Sequence, residues 1–458
     1  MSDISIEQIE QNFADINPPL TPAEAAFEAN RCLYCFDAPC TRACPTHIDV
    51  PAFIKKIASG NLTGSARVIF DANPIGATCA RVCPVEVLCE GACVEKTLMD
   101  KPIEIGRLQR YATDHAMQSG KQIFQKGEPN GKSVAVIGSG PAGLSCATYL
   151  ARLGYEVTIY DKKSLPGGLD TYGMAEYKMP QAVSVAEARQ VENLGVKFIL
   201  NTEIVQSPES ENQSPNRISF EDLQNRHDAV FIGIGLGATK SLNIEGENLP
   251  GVMDALQFIE QVKTRDWKAV PLGRTVAVIG AGNTAIDAVT QAKRLGAERV
   301  LMIYRRTEKD ISAYDYEYEL AKKDSIEFVW QTAPVEILGS GKVEGLRCKT
   351  ADGIEFDLAC NTVIKAIGQT KQIDFFNSIG IETDEKGRVS VNEKMQTSNP
   401  KIFAGGDSVN GGAEAVDASQ AGKLAAQGIH FSLTGEQVAF AGVSVNDIPE
   451  RTGVEHQH

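Results

Sequence analysis

From Ser133 onward the apolar positions fall twice into one order: a short apolar run, a glycine turn, a helix-spaced apolar stretch, and a second apolar run. The first copy, KSVAVIGSGPAGLSCATYLARLGYEVTIYDKK, predicts a buried strand over Ser133–Ile137, a helix to Leu153 and a strand ending at Tyr160. The second, GRTVAVIGAGNTAIDAVTQAKRLGAERVLMIYRRTEK, predicts the same series, its last strand ending at Tyr304. Further apolar strands are expected just after Asp228, over Thr362–Thr370 and over Lys401–Ala404, the last followed by a helix from about Ala413 to Gly428. Runs this apolar belong to parallel sheets covered on both faces. Before Lys126 the pattern changes. Thr21-Pro22-Ala23-Glu24 is a capping-box helix start, and Ile54, Ile57 and Leu62, then Ile105, Leu108 and Tyr111, mark two further helices. The polar QKGEPNGKS stretch divides the two regimes.

The fold class expected is therefore α/β: an N-terminal α-helical domain followed by two Rossmann-like nucleotide-binding domains, the second inserted into the first. The boundaries expected are 1–128 for the helical part, 129–250 with 371–440 for the first nucleotide domain, 251–370 for the second, and 441–458 for a polar tail. SPESENQSPN, Ser207–Asn216, reads as an exposed loop.

The turns carry chemistry. Gly138-x-Gly140-x-x-Gly143 follows a strand and opens a helix, and Asp161 stands at the end of the next strand. Glycines allow the tight turn and the close approach of a pyrophosphate, the helix N-terminus faces phosphate, and the acid meets ribose hydroxyls. In the second unit Gly280-x-Gly282-x-x-Ala285 keeps the turn, but Arg305-Arg306 replace the acid. Guanidinium groups there suit a 2′-phosphate better than a free hydroxyl.

Composition narrows the partners. With 45 basic against 59 acidic residues the chain carries a net charge of −14, which argues against nucleic acid and anionic membrane surfaces. The polar, acidic N-terminus and the absence of a long apolar run lead to an expected cytoplasmic setting, where clustered cysteines bind metal more often than they form disulfides. Eight of the eleven cysteines form two runs, Cys32, Cys35, Cys40 and Cys44, then Cys79, Cys83, Cys89 and Cys93. Eight closely spaced thiols exceed a four-ligand zinc site. In two-cluster ferredoxins the last cysteine of a run serves the other cluster. By that logic Cys32, Cys35 and Cys40 take Cys93, Cys44 crosses to the second run, and spacing alone completes that set with Cys79, Cys83 and Cys89. Cys146, Cys348 and Cys360 read as core residues, the last two in strands.

Taken together, the cysteine runs, both glycine units and the Gly405-Gly406-Asp407 stretch resemble the electron-input module shared by the small subunit of bacterial glutamate synthase and the N-terminal half of dihydropyrimidine dehydrogenase. The resemblance spans about Thr21 to Gly428 and is strongest to the bacterial NAD-dependent dihydropyrimidine branch. It implies FAD on the first unit, with Gly138, Gly140, Gly143 and Asp161 at pyrophosphate and ribose, Gly167-Gly168-Leu169 beside the flavin, and Gly406-Asp407 at its ribityl or pyrophosphate part. It implies NADH or NADPH on the second, through Gly280, Gly282, Asn283, Thr284, Arg305 and Arg306. TYGMAEYKMP matches a flavin-side segment of the family except that Ala175 replaces its proline, which leaves Glu176 and Lys178 without an assigned role. In the dihydropyrimidine branch a glutamine follows the last cysteine by sixteen residues, whereas the glutamate synthase branch carries an acid. Gln109 holds that place. The resemblance thus implies two 4Fe–4S clusters, one on Cys32, Cys35, Cys40 and Cys93, the other on Cys44, Cys83, Cys89 and Gln109, with Cys79 a structural thiol. No acid–base catalytic residue is expected. The implied function is transfer of electrons from NAD(P)H to an FMN- and iron–sulfur-containing partner, in a heterotetramer, that reduces uracil or thymine to the 5,6-dihydro form. The alternative is the small subunit of glutamate synthase or the input subunit of another reductase.

Overall fold

The computed structural model describes residues 4–206 and 216–441. The loop expected at 207–216 and the tail expected at 441–458 therefore fall almost wholly outside the described residues. From Ile6 to Ser119 the chain is helical, with eight helices among the described residues. Thr21 and Glu24 close the predicted capping box on helix Pro22–Asn30, each backbone N–H bonded to the other's side chain at 2.8 and 3.3 Å. The helix expected around Ile54–Leu62 is instead two, Val50–Ala58 and Leu62–Ala72. Asn61 causes the break, because its side chain caps a new helix through the Gly64 N–H at 2.9 Å. Phe53, Ile54 and Ile69 from these helices bury against Leu108 and Ala112 of helix Ile105–Ser119, closing one core.

Two five-stranded parallel sheets follow. The first runs in the order Ile402–Ala404, Ala229–Ile232, Ser133–Ile137, Glu156–Tyr160, Lys197–Ile199. The second runs Glu327–Val329, Arg299–Ile303, Thr275–Ile279, Thr362–Lys365, Val252–Asp254. The chain leaves the first sheet at Ile232, builds the whole second sheet, and rejoins the first at Ile402. A three-stranded antiparallel sheet, Thr332–Leu338, Gly345–Thr350 and Glu355–Ala359, hangs on the second. Val134, Val136, Val276 and Val278 are fully buried, which explains why these strands lack polar alternation.

Several element ends differ from expectation. The strand expected over Thr362–Thr370 stops at Lys365, after which Ala366 turns its backbone to the glycine turn of the second unit. The last helix runs Ala415–Thr434, past Gly428, and ends at Gly435, whose φ of 78° is a left-handed cap. Cys360 lies between strands, not in one, though it is buried as predicted along with Cys146 and Cys348.

The segment whose role was unassigned joins the two sheets' layers. Lys178 Nζ, buried, sits between the carboxylates of Asp287 in helix Asn283–Arg294 and Glu317 in helix Asp315–Lys323. Lys263, its side chain wholly buried, pairs with Glu176 at 3.0 Å. Removing one partner of such a buried set leaves the others uncompensated. Lys178→Met should therefore lower unfolding free energy by about 3 kcal/mol in urea denaturation. A loss below about 1 kcal/mol would mean that the triad is no more than a surface-type pair.

Candidate redox and nucleotide sites

Cys32, Cys35, Cys40 and Cys93 line one cavity, walled by Pro39, Val50, Ile54 and Ile103. Cys93 reaches it because Cys89 to Cys93 turns back and the chain then enters helix Val94–Met99. Burial pushes the Cys40 thiol up to about 12, and the neighbouring Cys93 and Cys32 add to the rise. Thiols this close and this dry oppose one another's ionisation unless a cationic centre sits among them.

The second group is built from both runs. Burial raises the Cys89 thiol and the charges of Cys44 and neighbouring groups add to it, while a hydrogen bond that Cys83 donates to Cys79, with burial and the charges of Cys79, Cys44 and Cys89, raises Cys83, so Cys44, Cys83 and Cys89 lie within range of one another's charge. Cys44 Sγ also lies 3.4 Å from Thr46 Oγ1. Two further candidates approach from packed helices. Cys79 is buried, accepts from Asn73 Nδ2 at 3.1 Å, and shares a hydrogen bond with Cys83. Gln109 is buried on helix Ile105–Ser119 and donates Nε2 to the Gly76 carbonyl at 2.7 Å. That bond fixes the amide plane, and among the described residues nothing donates to its Oε1. Thiols are the soft ligands an iron–sulfur cluster takes, although among the described residues no three His, Cys, Asp or Glu side chains are arranged to hold a single metal ion.

On the first sheet Gly138 turns with φ of 96°, and a Cβ there would stand 2.4 Å from the Gly233 carbonyl, so no other residue fits. Gly140 starts helix Pro141–Arg152 with no side-chain cap, which leaves that N-terminus open to an anion. Gly168 comes so near that its Cβ would lie 2.8 Å from the Gly140 Cα. Leu169 follows, partly exposed. Gly143 packs within the same helix start, and Gly406 closes on it from the other side, its would-be Cβ 3.2 Å from that of Ala142. Asp407 accepts from the Ala413 N–H at 3.2 Å, and burial raises its pKa. Asp161 accepts from Ser139 N–H and Oγ at 2.8 and 2.5 Å, so the acid stands at the mouth of the turn. These residues gather around one open helix start.

The second sheet repeats it. Gly282 begins helix Asn283–Arg294, again without a side-chain cap. Gly280 lies behind it, and Thr284 is half-buried in the first turn. Asn283 Oδ1 accepts from the Tyr314 N–H at 3.1 Å, and the Tyr314 hydroxyl donates to Glu414 at 2.6 Å. One tyrosine therefore joins the two cradles. Arg305 and Arg306 follow strand Arg299–Ile303, which stops one residue short of the Tyr304 expected, and both are exposed. Neither forms an ion pair among the described residues.

Sequence reading missed the bonds that tie the helical part to the first sheet. Glu187 of helix Gln181–Glu192 accepts from the Ala77 N–H at 2.7 Å and from Thr78 N–H and Oγ1, capping helix Gly76–Val82; burial pushes it up to about 7. Ser419 Oγ donates to Asn73 at 2.8 Å. Asp170, next to Leu169, is buried with Oδ1 unpartnered. Such contacts leave no local pattern.

A family model described as pyridine nucleotide-disulphide oxidoreductase matches residues 132–422. The chain belongs to that family. Ahead of it, residues 9–121 match the model for dihydropyrimidine dehydrogenase domain II, 4Fe-4S cluster. The chain is thus an oxidoreductase in which a 4Fe–4S domain precedes FAD and NAD(P)H domains. It is 34% identical over 428 residues to the NAD-dependent dihydropyrimidine dehydrogenase subunit PreT of Escherichia coli K12, covering 93% of this chain and 98% of that one. It is also 34% identical over 452 residues to the glutamate synthase [NADPH] small chain of Halomonas elongata, covering 92% and 93%. In fold it is similar to T. acidophilum thioredoxin reductase, with a TM-score of 0.53 at 23% identity over 65% of this chain and 98% of that one. No helix among the described residues is long and apolar enough to cross a membrane.

Proposed function

We propose that this chain is the electron-input subunit of a dihydropyrimidine dehydrogenase, passing electrons from NAD(P)H through FAD and two 4Fe–4S clusters to a catalytic partner. The observation that carries the reading is the single cavity shared by Cys93 and the first cysteine run, which leaves Cys44 to the second. From that exchange we read two ligand sets. We assign Cys32, Cys35, Cys40 and Cys93 to one cluster and Cys44, Cys83, Cys89 and Gln109 to the other.

Domains 129–250 with 371–440 hold FAD in this reading, and 251–370 hold the nicotinamide. Gly138, Gly140 and Gly143 admit the FAD pyrophosphate to the helix start, Asp161 takes ribose hydroxyls, and Gly168, Leu169, Gly406 and Asp407 line the rest. Gly280, Gly282, Asn283 and Thr284 do the same for the nicotinamide cofactor. Arg305 and Arg306, exposed and without ion-pair partners among the described residues, stand ready for a 2′-phosphate, which favours NADPH, while the relatives include both NAD- and NADPH-named proteins. FAD when bound takes a hydride's two electrons and releases them singly to iron–sulfur centres. The residues only bind, orient and exclude water, and no side chain of the cradle need move a proton to the organic substrate.

With the two cradles given to dinucleotides, and no third such cradle among the described residues, we place the uracil or thymine site on another subunit, one that carries FMN and iron–sulfur clusters in a heterotetramer. Gln109 supports this branch over glutamate synthase, because a neutral amide stands where that branch carries an acid. Gln109→Leu should remove the signal of one cluster and about four irons, whereas Cys79→Ala should leave both clusters. The converse pattern in iron, sulfide and EPR analysis transfers the fourth ligand to Cys79. For the partner, anaerobic pull-down from a strain expressing neighbouring redox subunits, assayed with uracil and each nicotinamide, should yield dihydrouracil. A co-purifying glutamine-hydrolysing subunit would establish glutamate synthase instead.

A further inference from the structure

Lys423 lies in helix Ala415–Thr434 and is 5% exposed. Its Nζ donates to the Thr46 carbonyl at 2.9 Å and to the Ala441 carbonyl at 3.2 Å, and stands 5.9 Å from the Tyr149 ring centroid. Among the described residues no carboxylate pairs with it. Asp71 lies near enough to act on its charge, but is itself paired with Arg152 at 2.7 Å. An ammonium buried among carbonyls, without an anion, is costly.

The anion it lacks has a place in the proposed assignment. Thr46, wholly buried, turns its carbonyl to Lys423 and its Oγ1 to Cys44 Sγ, 3.4 Å away. Cys44 lies near enough to Cys83 and Cys89 for its charge to act on both, and a cluster on three thiolates would be an anion in the same buried space. The residue before Lys423 touches the other side of the wire. A Cβ on Gly422 would fall 2.2 Å from the Ala142 carbonyl, in the first turn of the helix that opens the FAD cradle. Lys423 thus stands where the FAD helix, the last helix and the second cysteine set meet.

We propose that Lys423 is a positioning charge for electron transfer: its buried ammonium is the counter-ion of the cluster at Cys44, Cys83 and Cys89, and raises that cluster's reduction potential. The inference rests on the ligand assignment above. One electron leaves the reduced flavin of this chain, one enters that cluster, and its charge becomes more negative by one. The ammonium stabilises the added charge, and no proton or other reactant is required. The effect is directional, because it makes the cluster beside the flavin the better acceptor. A strut serving only to hold two carbonyls would show no dependence on charge.

EPR-monitored redox titration of the anaerobically reconstituted full chain separates these roles, using Lys423→Met, Lys423→Gln and Lys423→Arg. Met and Gln should lower one of the two cluster potentials so that, at fixed potential, its reduced-to-oxidised ratio falls about tenfold, equivalent to ~59 mV for one electron. The other cluster should be unmoved, and Arg should keep the wild-type value. Loss of that one cluster in Met and Gln with retention in Arg would support the same charge requirement. Unchanged potentials in Met and Gln, or equal shifts or equal loss in all three variants, would overturn the proposal while leaving the electron-input reading intact. A wild-type chain with no second cluster would overturn the ligand assignment itself, and the role of Lys423 with it.

Discussion

The exchange of one cysteine between two runs is the constraint on which the rest of the molecule depends. Cys93 must reach a cavity formed by residues some sixty positions earlier, and Cys44 must reach a group formed by later ones. Neither is possible unless the helices between them fold back, and they do so around Phe53, Ile54, Ile69 and Leu108. The hydrophobic core of the helical part thus positions the thiols, and a metal centre held by them would staple that core. Small helical domains gain much of their stability in this way when metal is bound.

A second constraint joins this part to the nucleotide sheets. Electrons arriving in pairs and leaving singly need centres held at fixed, short separation, so flexible linkage would defeat the purpose. The structure meets this with buried polar bonds added to apolar packing, in which Ile75 and Cys79 join the core of the first sheet and Ile9 and Phe13 that of the second. Glu187 caps the helix that carries Cys79, Ser419 holds Asn73, and Lys423 holds Thr46. On the opposite side Lys178 sits between two carboxylates of the nicotinamide domain. Each of these is satisfied in only one relative placement of the parts, which is how buried polar groups confer specificity.

Much of this was legible in the sequence, for identifiable reasons. The strands Ser133–Ile137 and Glu156–Tyr160 and the glycine turn between them are local patterns with local causes, and they appear where expected. The gathering of Cys93 with Cys32, Cys35 and Cys40 was legible from ferredoxin spacing. The split at Asn61 was not, because an asparagine cap competes with an apolar period that reads straight through it. The helix end at Gly435 was missed because Gly428 offered an earlier stop, yet that glycine is required by close packing against the Lys394 carbonyl. Lys178, Glu187 and Lys423 were invisible as a class, since each gains its meaning from a partner more than a hundred residues away.

In the proposed function one chain takes the two electrons of a hydride at a flavin and passes them singly to two clusters. Anaerobic titration of the chain, reconstituted with iron, sulfide and FAD, by NADH and by NADPH tests it directly. Visible absorbance and EPR should show the flavin reduced and two distinct cluster signals growing in, on protein carrying about eight iron and about eight sulfide per chain. A flavin that bleaches with no cluster signal, or cysteine runs that hold zinc without sulfide, would contradict the account.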